Sequence, residues 1–340
     1  MLRGGPRPPL SFSRSQEKAM IYRDLGRTGI RVSRFCLGTL TMGPLQARLD
    51  VKKGAGLIRL ALDRGVNFLD TAEDYRTYPY IREAIGRHNT SVVIASRCYA
   101  YTARAMQASL ERALRETGRE TIDLFGLHEQ ESSKTLRGHW DAIEYLRKAK
   151  DQGKVRAVYV STHFICVVRA VQALPEIDAV FPLLNMSGTG IRDGSRDDMI
   201  SAINQAHLAG KGVWAMKPLA GGHLSGRSRA ALAFVRDIED IDSVAVGASS
   251  AAEIEFNAMV LSGETPPEAL EKEIASSGRR VVIEPWCRGC GKCVSACRSG
   301  ALSVAGGRAR VDQSRCILCS YCAAACEEFC IKVMAGEGRE

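Results

Sequence analysis

Residues 91–127 read SVVIASRCYAYTARAMQASLERALRETGRETIDLFGL: an apolar run at 91–95, an amphipathic helical pattern over 102–117 and a second apolar run at 122–127. Strand, helix, strand is the unit of a parallel sheet, because parallel neighbours need a long crossover and a helix supplies it compactly. The unit recurs on both sides. Apolar runs at 35–38, 66–70, 155–160, 179–184, 212–216 and 243–246 read as further strands. Helical patterns lie between them near 51–64, 79–87, 140–152, 163–173, 197–209, 226–236 and 250–261, the third of these ended by Gly153. Eight strands alternating with about eight helices predict an α/β fold of the (β/α)8 TIM-barrel kind. An open doubly wound sheet would want G-x-G-x-x-G after its first strand, and the stretch from Gly38 to Gly43, GTLTMG, does not fit.

The whole chain has 340 residues, 45% apolar and 25% charged, the proportions of a globular protein. Single cores stop growing at roughly 250–300 residues, so a second, smaller domain is expected beyond the barrel. The division is predicted as a disordered extension at 1–20, the barrel at 21–262, a linker at 263–280 that includes GETPPE, and a small α+β domain at 281–340. The Arg/Ser/Pro-rich start has no acid before Glu17, the composition of an organelle transit peptide as well as of a disordered extension. No apolar run approaches the roughly 20 residues of a membrane span, and a soluble, cytoplasmic protein is expected.

Nine of the twelve cysteines fall in the last 54 residues, without an export signal that would suggest a secreted disulfide scaffold. Their spacing is regular. Cys287-x2-Cys290-x2-Cys293-x3-Cys297 recurs 29 residues later as Cys316-x2-Cys319-x2-Cys322-x3-Cys326, and strand-like tails at 301–304 and 330–333 continue the repeat. Cys330 therefore matches Ala301 and is predicted not to bind metal. C-x2-C pairs also make zinc knuckles, but two complete four-cysteine runs without a histidine are the pattern of iron-sulfur ligation.

This segment resembles the bacterial-type ferredoxins with two [4Fe-4S] clusters. The resemblance implies a crossed ligand set, in which the fourth cysteine of each run serves the other cluster. One cubane would then take Cys287, Cys290, Cys293 and Cys326, and the other Cys316, Cys319, Cys322 and Cys297. Arg298 and Glu327 stand where that family usually has proline after the fourth cysteine. The net charge of +9 finds a use here, since residues 279–340 hold ten Lys/Arg against six Asp/Glu and offset anionic clusters. No nucleic-acid fingerprint accompanies the charge, and no nucleic-acid partner is expected.

Chemistry in a (β/α)8 barrel gathers where strands end. The second strand ends FLDTAEDY, with Asp70 and Tyr75; the third ends at Arg97; the fourth ends LFGLH, at His128. Each alone has a structural reading, but an acid, a phenol, a cation and an imidazole at three successive strand ends make a proton-donating set. With YRDLGRTGIRVSRFCLGT at the start and VSTH, KPLAGG and VGASSAAEIEFN in order, residues 21–262 resemble the aldo/keto reductases. The resemblance implies hydride delivery to a carbonyl carbon while Tyr75 protonates its oxygen, a cation lowers the phenol's pKa, Asp70 holds that cation and His128 orients the carbonyl. The family's lysine falls on Arg97, a departure in shape and donor geometry.

The same resemblance implies where a nicotinamide cofactor would lie. Its carboxamide would meet Ser161, Thr162 and Asn185, although the family's glutamine falls on Phe181. Its ring would lie over Met216, and its phosphates near Gly221, Gly222 and the Gly247–Ser249–Ser250 turn, with Asn257 on the following helix. Glu253 stands where NADP users place a basic residue, which favours NAD(H) over NADP(H), or no nicotinamide at all. The expected protein is an iron-sulfur oxidoreductase that passes electrons between its clusters and a small carbonyl or alcohol substrate, or a nicotinamide, with a redox partner protein. The alternative is a non-catalytic nucleotide- or partner-binding barrel that acts as an iron-sulfur redox sensor.

Overall fold

The computed structural model describes residues 20–86, 91–276 and 278–335. Residues 1–19 of the extension expected to be disordered lie outside these. Eight parallel strands close a barrel in chain order: Phe35–Gly38, Phe68–Asp70, Val93–Cys98, Ile122–Gln130, Val155–Thr162, Ala179–Pro182, Gly212–Met216 and Ser243–Gly247. The last strand pairs with the first, Val244 opposite Phe35, so no sheet edge is left.

The helices between the strands form because each carries one apolar stripe and its own terminal signals. In Ala103–Thr117, the Thr102 hydroxyl caps the Ala105 amide at 3.2 Å, and Gly118 ends the helix in the left-handed region at φ 72°. Met106, Leu110, Ala113 and Thr117, spaced three or four apart, are buried against the barrel. Truncating Leu110 to alanine would cost about 2–5 kcal/mol, the range for a buried leucine.

An antiparallel hairpin, Tyr22–Asp24 with Arg31–Ser33, plugs the end of the barrel where the strands begin. Leu25, Ile30 and Val32 are fully buried there in one cluster with Phe68, Leu124 and Trp214. The tight turn needs glycine at 26, where φ is 50° and a Cβ would lie 2.3 Å from the Gly212 amide. The strand C-termini form the opposite end, which carries the predicted site residues.

The segment expected as a linker is structured. Helix Glu268–Ser276 buries Leu270 and Ile274, one turn apart, in the same core as the last barrel helix, Ala251–Leu261. A strand, Arg279–Ile283, follows at once and pairs antiparallel with Ile331–Ala335, Val281 opposite Val333. The hairpin Leu302–Ala305/Arg308–Val311 completes the small domain, together with short helices Lys292–Ala296 and Tyr321–Ala324, one within each cysteine run. The duplication seen in the sequence thus appears as two strands, Leu302–Ala305 and Ile331–Ala335, that begin 29 residues apart. Among the described residues no helix is long and apolar enough to cross a membrane.

Candidate active site

Asp70, Arg97 and His128 lie at neighbouring strand ends and are 4%, 2% and 7% exposed. Tyr75 closes a short 3-10 turn, Glu73–Tyr75, and Arg76 after it takes the left-handed region at φ 57°, which turns the phenol back towards the barrel axis. The structure brings these four predicted residues together around one guanidinium. Arg97 Nη1 donates to Asp70 Oδ1 at 2.5 Å and to the Thr71 carbonyl at 3.0 Å, and Nη2 donates to Asp70 Oδ2 at 3.3 Å and to the Tyr75 hydroxyl at 2.7 Å. A lysine ammonium has no such fork, so the departure at Arg97 exchanges a point charge for a planar bridge between the acid and the phenol. The guanidinium also lies 5.0 Å from the Phe181 ring centroid, a cation–π contact.

Burial dominates the ionisation of the group. It pushes the Tyr75 phenol up to about 12, against the lowering influence of Arg97. The neighbouring cation does lower the phenol's pKa, as expected, but desolvation of the phenolate outweighs it. Burial works against the charge of Arg97, but Asp70, Tyr75 and Tyr159 raise its pKa well above the ordinary arginine value, so the guanidinium stays charged. His128 is held neutral, first by burial and then by Arg97. Two buried polar atoms here, Arg97 Nε and His128 Nδ1, have no hydrogen-bond partner. Such orphans cost stability unless a guest satisfies them.

A second layer was missed by the sequence reading. Tyr99, two residues beyond Arg97, stacks on His128 at 4.5 Å and donates to Glu129 Oε2 at 2.7 Å. Glu129 Oε1 lies 3.9 Å from His163 Nε2, which is 2.7 Å from Lys217 Nζ. The signals were present in VSTH and KPLAGG, whose final histidine and first lysine these are. Glu129, Lys217 and Ala220 all have positive φ (47°, 59° and 51°), strain of the kind that gathers at functional sites.

The small domain docks on this end of the barrel. Phe329, between Cys326 and Cys330, enters the barrel's inner apolar cluster beside Met216, Phe181 and Leu183 and is 3% exposed. Arg192 donates to the Glu327 carbonyl, and His223 Nδ1 and Nε2 meet Ser320 Oγ at 3.0 Å and the Ile331 carbonyl at 2.9 Å.

The residues expected to meet a nicotinamide are near this junction, but their polar atoms are turned to their own chain. Ser161 Oγ accepts from the Glu129 amide at 2.9 Å, Thr162 Oγ1 donates to the Gln130 carbonyl at 2.6 Å, and the Asn185 amide donates to the Thr189 carbonyl at 2.9 Å. Gly221 and Gly222 lie under Phe329, Lys332 and Val333. Met216 is 7% exposed and Asn257 is 4% exposed. At the start of the last barrel helix the Ser250 hydroxyl caps the Glu253 amide at 3.2 Å, and the Glu253 carboxylate accepts from Ser249 N at 2.7 Å and Ser249 Oγ at 3.0 Å. Gly247 faces Thr41, whose hydroxyl leaves no room for a Cβ.

The cysteines of the small domain gather in two groups. Cys297, Cys316, Cys319 and Cys322 line one cavity, with Ile317 and Leu318. Burial, and after it the charges of Cys326, Cys287 and Cys290, push the Cys293 thiol upward, so Cys326 of the other run lies within electrostatic reach of the first. The Ala301 amide donates to Cys297 Sγ at 3.2 Å and the Ala309 amide to Cys287 Sγ at 3.4 Å, contacts that stabilise charge on sulfur. The residues fit a cluster in each half.

Comparison with known proteins matches both parts of the chain. The aldo/keto reductase family matches residues 34–258, and a 4Fe-4S dicluster domain matches residues 280–327. The uncharacterized oxidoreductase YrpG of Bacillus subtilis is 27% identical over 250 residues, covering 66% of this chain and 74% of that protein. The L-galactose dehydrogenase of Arabidopsis thaliana is 21% identical over 305 residues, covering 77% and 94%. Among solved structures, the holo form of the aldo-keto reductase AKR11C1 from Bacillus halodurans superposes with a TM-score of 0.62 at 19% identity, covering 75% of this chain and 95% of that one. With its closed barrel and its matched span, this chain is an oxidoreductase that belongs to the aldo/keto reductase family and carries a 4Fe-4S dicluster domain.

Proposed function

We propose that the chain is an iron-sulfur oxidoreductase that interconverts a small carbonyl compound and its alcohol at the barrel mouth, in the cytoplasm, with an external one-electron carrier as its partner. We assign Cys287, Cys290, Cys293 and Cys326 to one cluster and Cys297, Cys316, Cys319 and Cys322 to the other. When bound, the clusters would supply or accept, one at a time, the two electrons that separate carbonyl from alcohol; of the two protons that go with them, the one on oxygen is exchanged with Tyr75 and the one on carbon with a water molecule admitted with the substrate.

The remaining steps belong to the chain's own side chains. Tyr75, protonated throughout the neutral range, gives its proton to the substrate oxygen in reduction and receives it in oxidation. Arg97, held charged and donating to the phenol oxygen, stabilises the phenolate as the proton leaves. Asp70 fixes the guanidinium in its fork, and neutral His128 has an unpartnered ring nitrogen with which to orient the carbonyl. Packing by Phe181, Met216 and Phe329 keeps bulk water from this end of the barrel.

The observation that carries the reading is the junction itself: Arg97, which holds Tyr75 and Asp70, lies on Phe181, and Phe181 shares its apolar cluster with Phe329 of the small domain. The test is to reduce the protein anaerobically, mix it with aldehydes, ketones and 2-oxo acids, and follow the visible cluster absorbance. Re-oxidation by some carbonyls with formation of the matching alcohol is expected; re-oxidation without alcohol, or none across the panel, overturns the proposal.

A further inference from the structure

We infer that the docked small domain takes the seat of the dinucleotide, so that this member of the family works without NAD(H) or NADP(H). The inference rests on the proposed function in one respect, that the clusters are the resident redox groups.

Four parts of the expected dinucleotide site are closed by four separate features of this chain. Phe329, 3% exposed, is packed into the same apolar cluster as Met216, where the nicotinamide ring would lie. Two lysine nitrogens approach the Phe329 ring, Lys332 Nζ at 3.2 Å and Lys217 Nζ at 4.9 Å from the centroid. At Gly221 and Gly222, where the phosphates would run, the protein's own strand Ile331–Ala335 is laid down. A Cβ at Gly221 would meet Lys332 Cδ at 3.0 Å and Phe329 Cζ at 3.2 Å, and one at Gly222 would lie 1.8 Å from the Val333 carbonyl oxygen. Nothing the size of a phosphate fits between surfaces this close.

The carboxamide partners are spent as well. Asn185 Oδ1 accepts from Ser187 Oγ at 2.8 Å and from the Thr189 amide at 3.1 Å while its Nδ2 donates to Thr189, so both ends of the side chain are engaged in its own loop. Finally, the helix N-terminus that would receive a phosphate already holds an anion, the Glu253 carboxylate bonded to Ser249 N and Oγ. A phosphate there would displace a good internal acceptor and face like charge. Mutual fit of this kind, backbone against glycine, is what distinguishes a built junction from a casual contact. Phe329 itself adopts φ 49°, a strained backbone that only surrounding packing maintains.

The test uses the full-length protein with both clusters in place. Isothermal titration and dinucleotide fluorescence are run anaerobically with NADH and with NADPH, and amide exchange over 329–335 is followed in the same samples. Iron content and thermal unfolding confirm that the protein is intact. No saturable heat or fluorescence change up to about 1 mM, the upper end of ordinary KM values, and unchanged exchange are the expected results. Saturable binding of either nucleotide, or loss of protection over 329–335 when it is added, overturns the inference by showing that the domain yields the seat. The proposed function is judged separately, by carbonyl-driven re-oxidation without added nucleotide, so either can fail while the other stands.

Discussion

Arg97 Nη2 donates to the Tyr75 hydroxyl across 2.7 Å while the same guanidinium grips both oxygens of Asp70. The phenol is therefore tied to a cation whose position is fixed by a buried acid, and burial still keeps its proton in place, with a pKa near 12. Replacing Tyr75 with Phe removes one oxygen and leaves the ring. Turnover on the true substrate should fall about 10²- to 10⁴-fold, the usual loss for a general acid, with iron content unchanged. Steady-state rates and iron analysis on the same sample check this, and full activity in the variant would rule out Tyr75 as the proton donor.

A second prediction concerns the seam between the domains. Gly222 has φ 91° and its missing Cβ would sit 1.8 Å from the Val333 oxygen, backbone against backbone. Neither side can move aside as a flexible side chain could. Gly222→Ala should therefore lift Ile331–Ala335 from the barrel while leaving both domains folded. Faster amide exchange at 329–335, a larger scattering radius and slower carbonyl-driven cluster re-oxidation should appear together. A variant indistinguishable from wild type in all three would show that the seam is not a functional contact.

Much of this was legible in the sequence, for a physical reason. A parallel barrel strand is buried on both faces, so it reads as a compact apolar run, and Gly212–Met216 was found with its bounds intact. Cluster ligands are bound by spacing, which one line of sequence displays. The helix Glu268–Ser276 was hidden because the turn residues of GETPPE precede it and its apolar face is only Leu270 and Ile274. The sign of the Tyr75 shift was not readable because it depends on desolvation, a property of everything packed around the phenol rather than of its neighbours in the chain. Phe329 was passed over for a similar reason: a lone aromatic among cysteines gives no hint that it will be buried in another domain.

Lys217 offers a pH test. Burial lowers its pKa to about 8, against an ordinary value of 10.5, with Glu129 opposing the shift and Arg97 adding to it. Between those two values the unfolded chain binds a proton that the folded chain does not, so this group makes stability rise with pH across the window. Below about pH 8 the ammonium is charged in both states and its burial is simply a cost. Lys217→Met removes that cost. Its melting temperature should exceed that of the wild type most at pH 7.5, and the difference should shrink by pH 9.5. A difference that grows with pH would mean that the charged lysine stabilises the fold, the opposite of what its burial implies.

The last prediction turns on Cys330, whose Sγ lies 3.3 Å from Cys326 Sγ although its partner in the repeat is Ala301. The repeat is thus the ground for reading it as a bystander, since the matching position in the first half carries no thiol. Cys330→Ala copies the arrangement of the other half, so both clusters should remain, with unchanged iron and an unchanged low-temperature EPR spectrum of the reduced protein. Cys326→Ala alone leaves a thiol close to the vacated position, so the informative variant removes both. In Cys326→Ala/Cys330→Ala the cluster held by Cys287, Cys290 and Cys293 should be lost or degraded, even though both substitutions lie in or beyond the second run. Iron and sulfide should fall by about half and the spin coupling between clusters should vanish, because each crossed set serves one cubane. Loss of a cluster in Cys330→Ala would make Cys330 a ligand, and a full complement of iron with native coupling in the double variant would sink the crossed assignment.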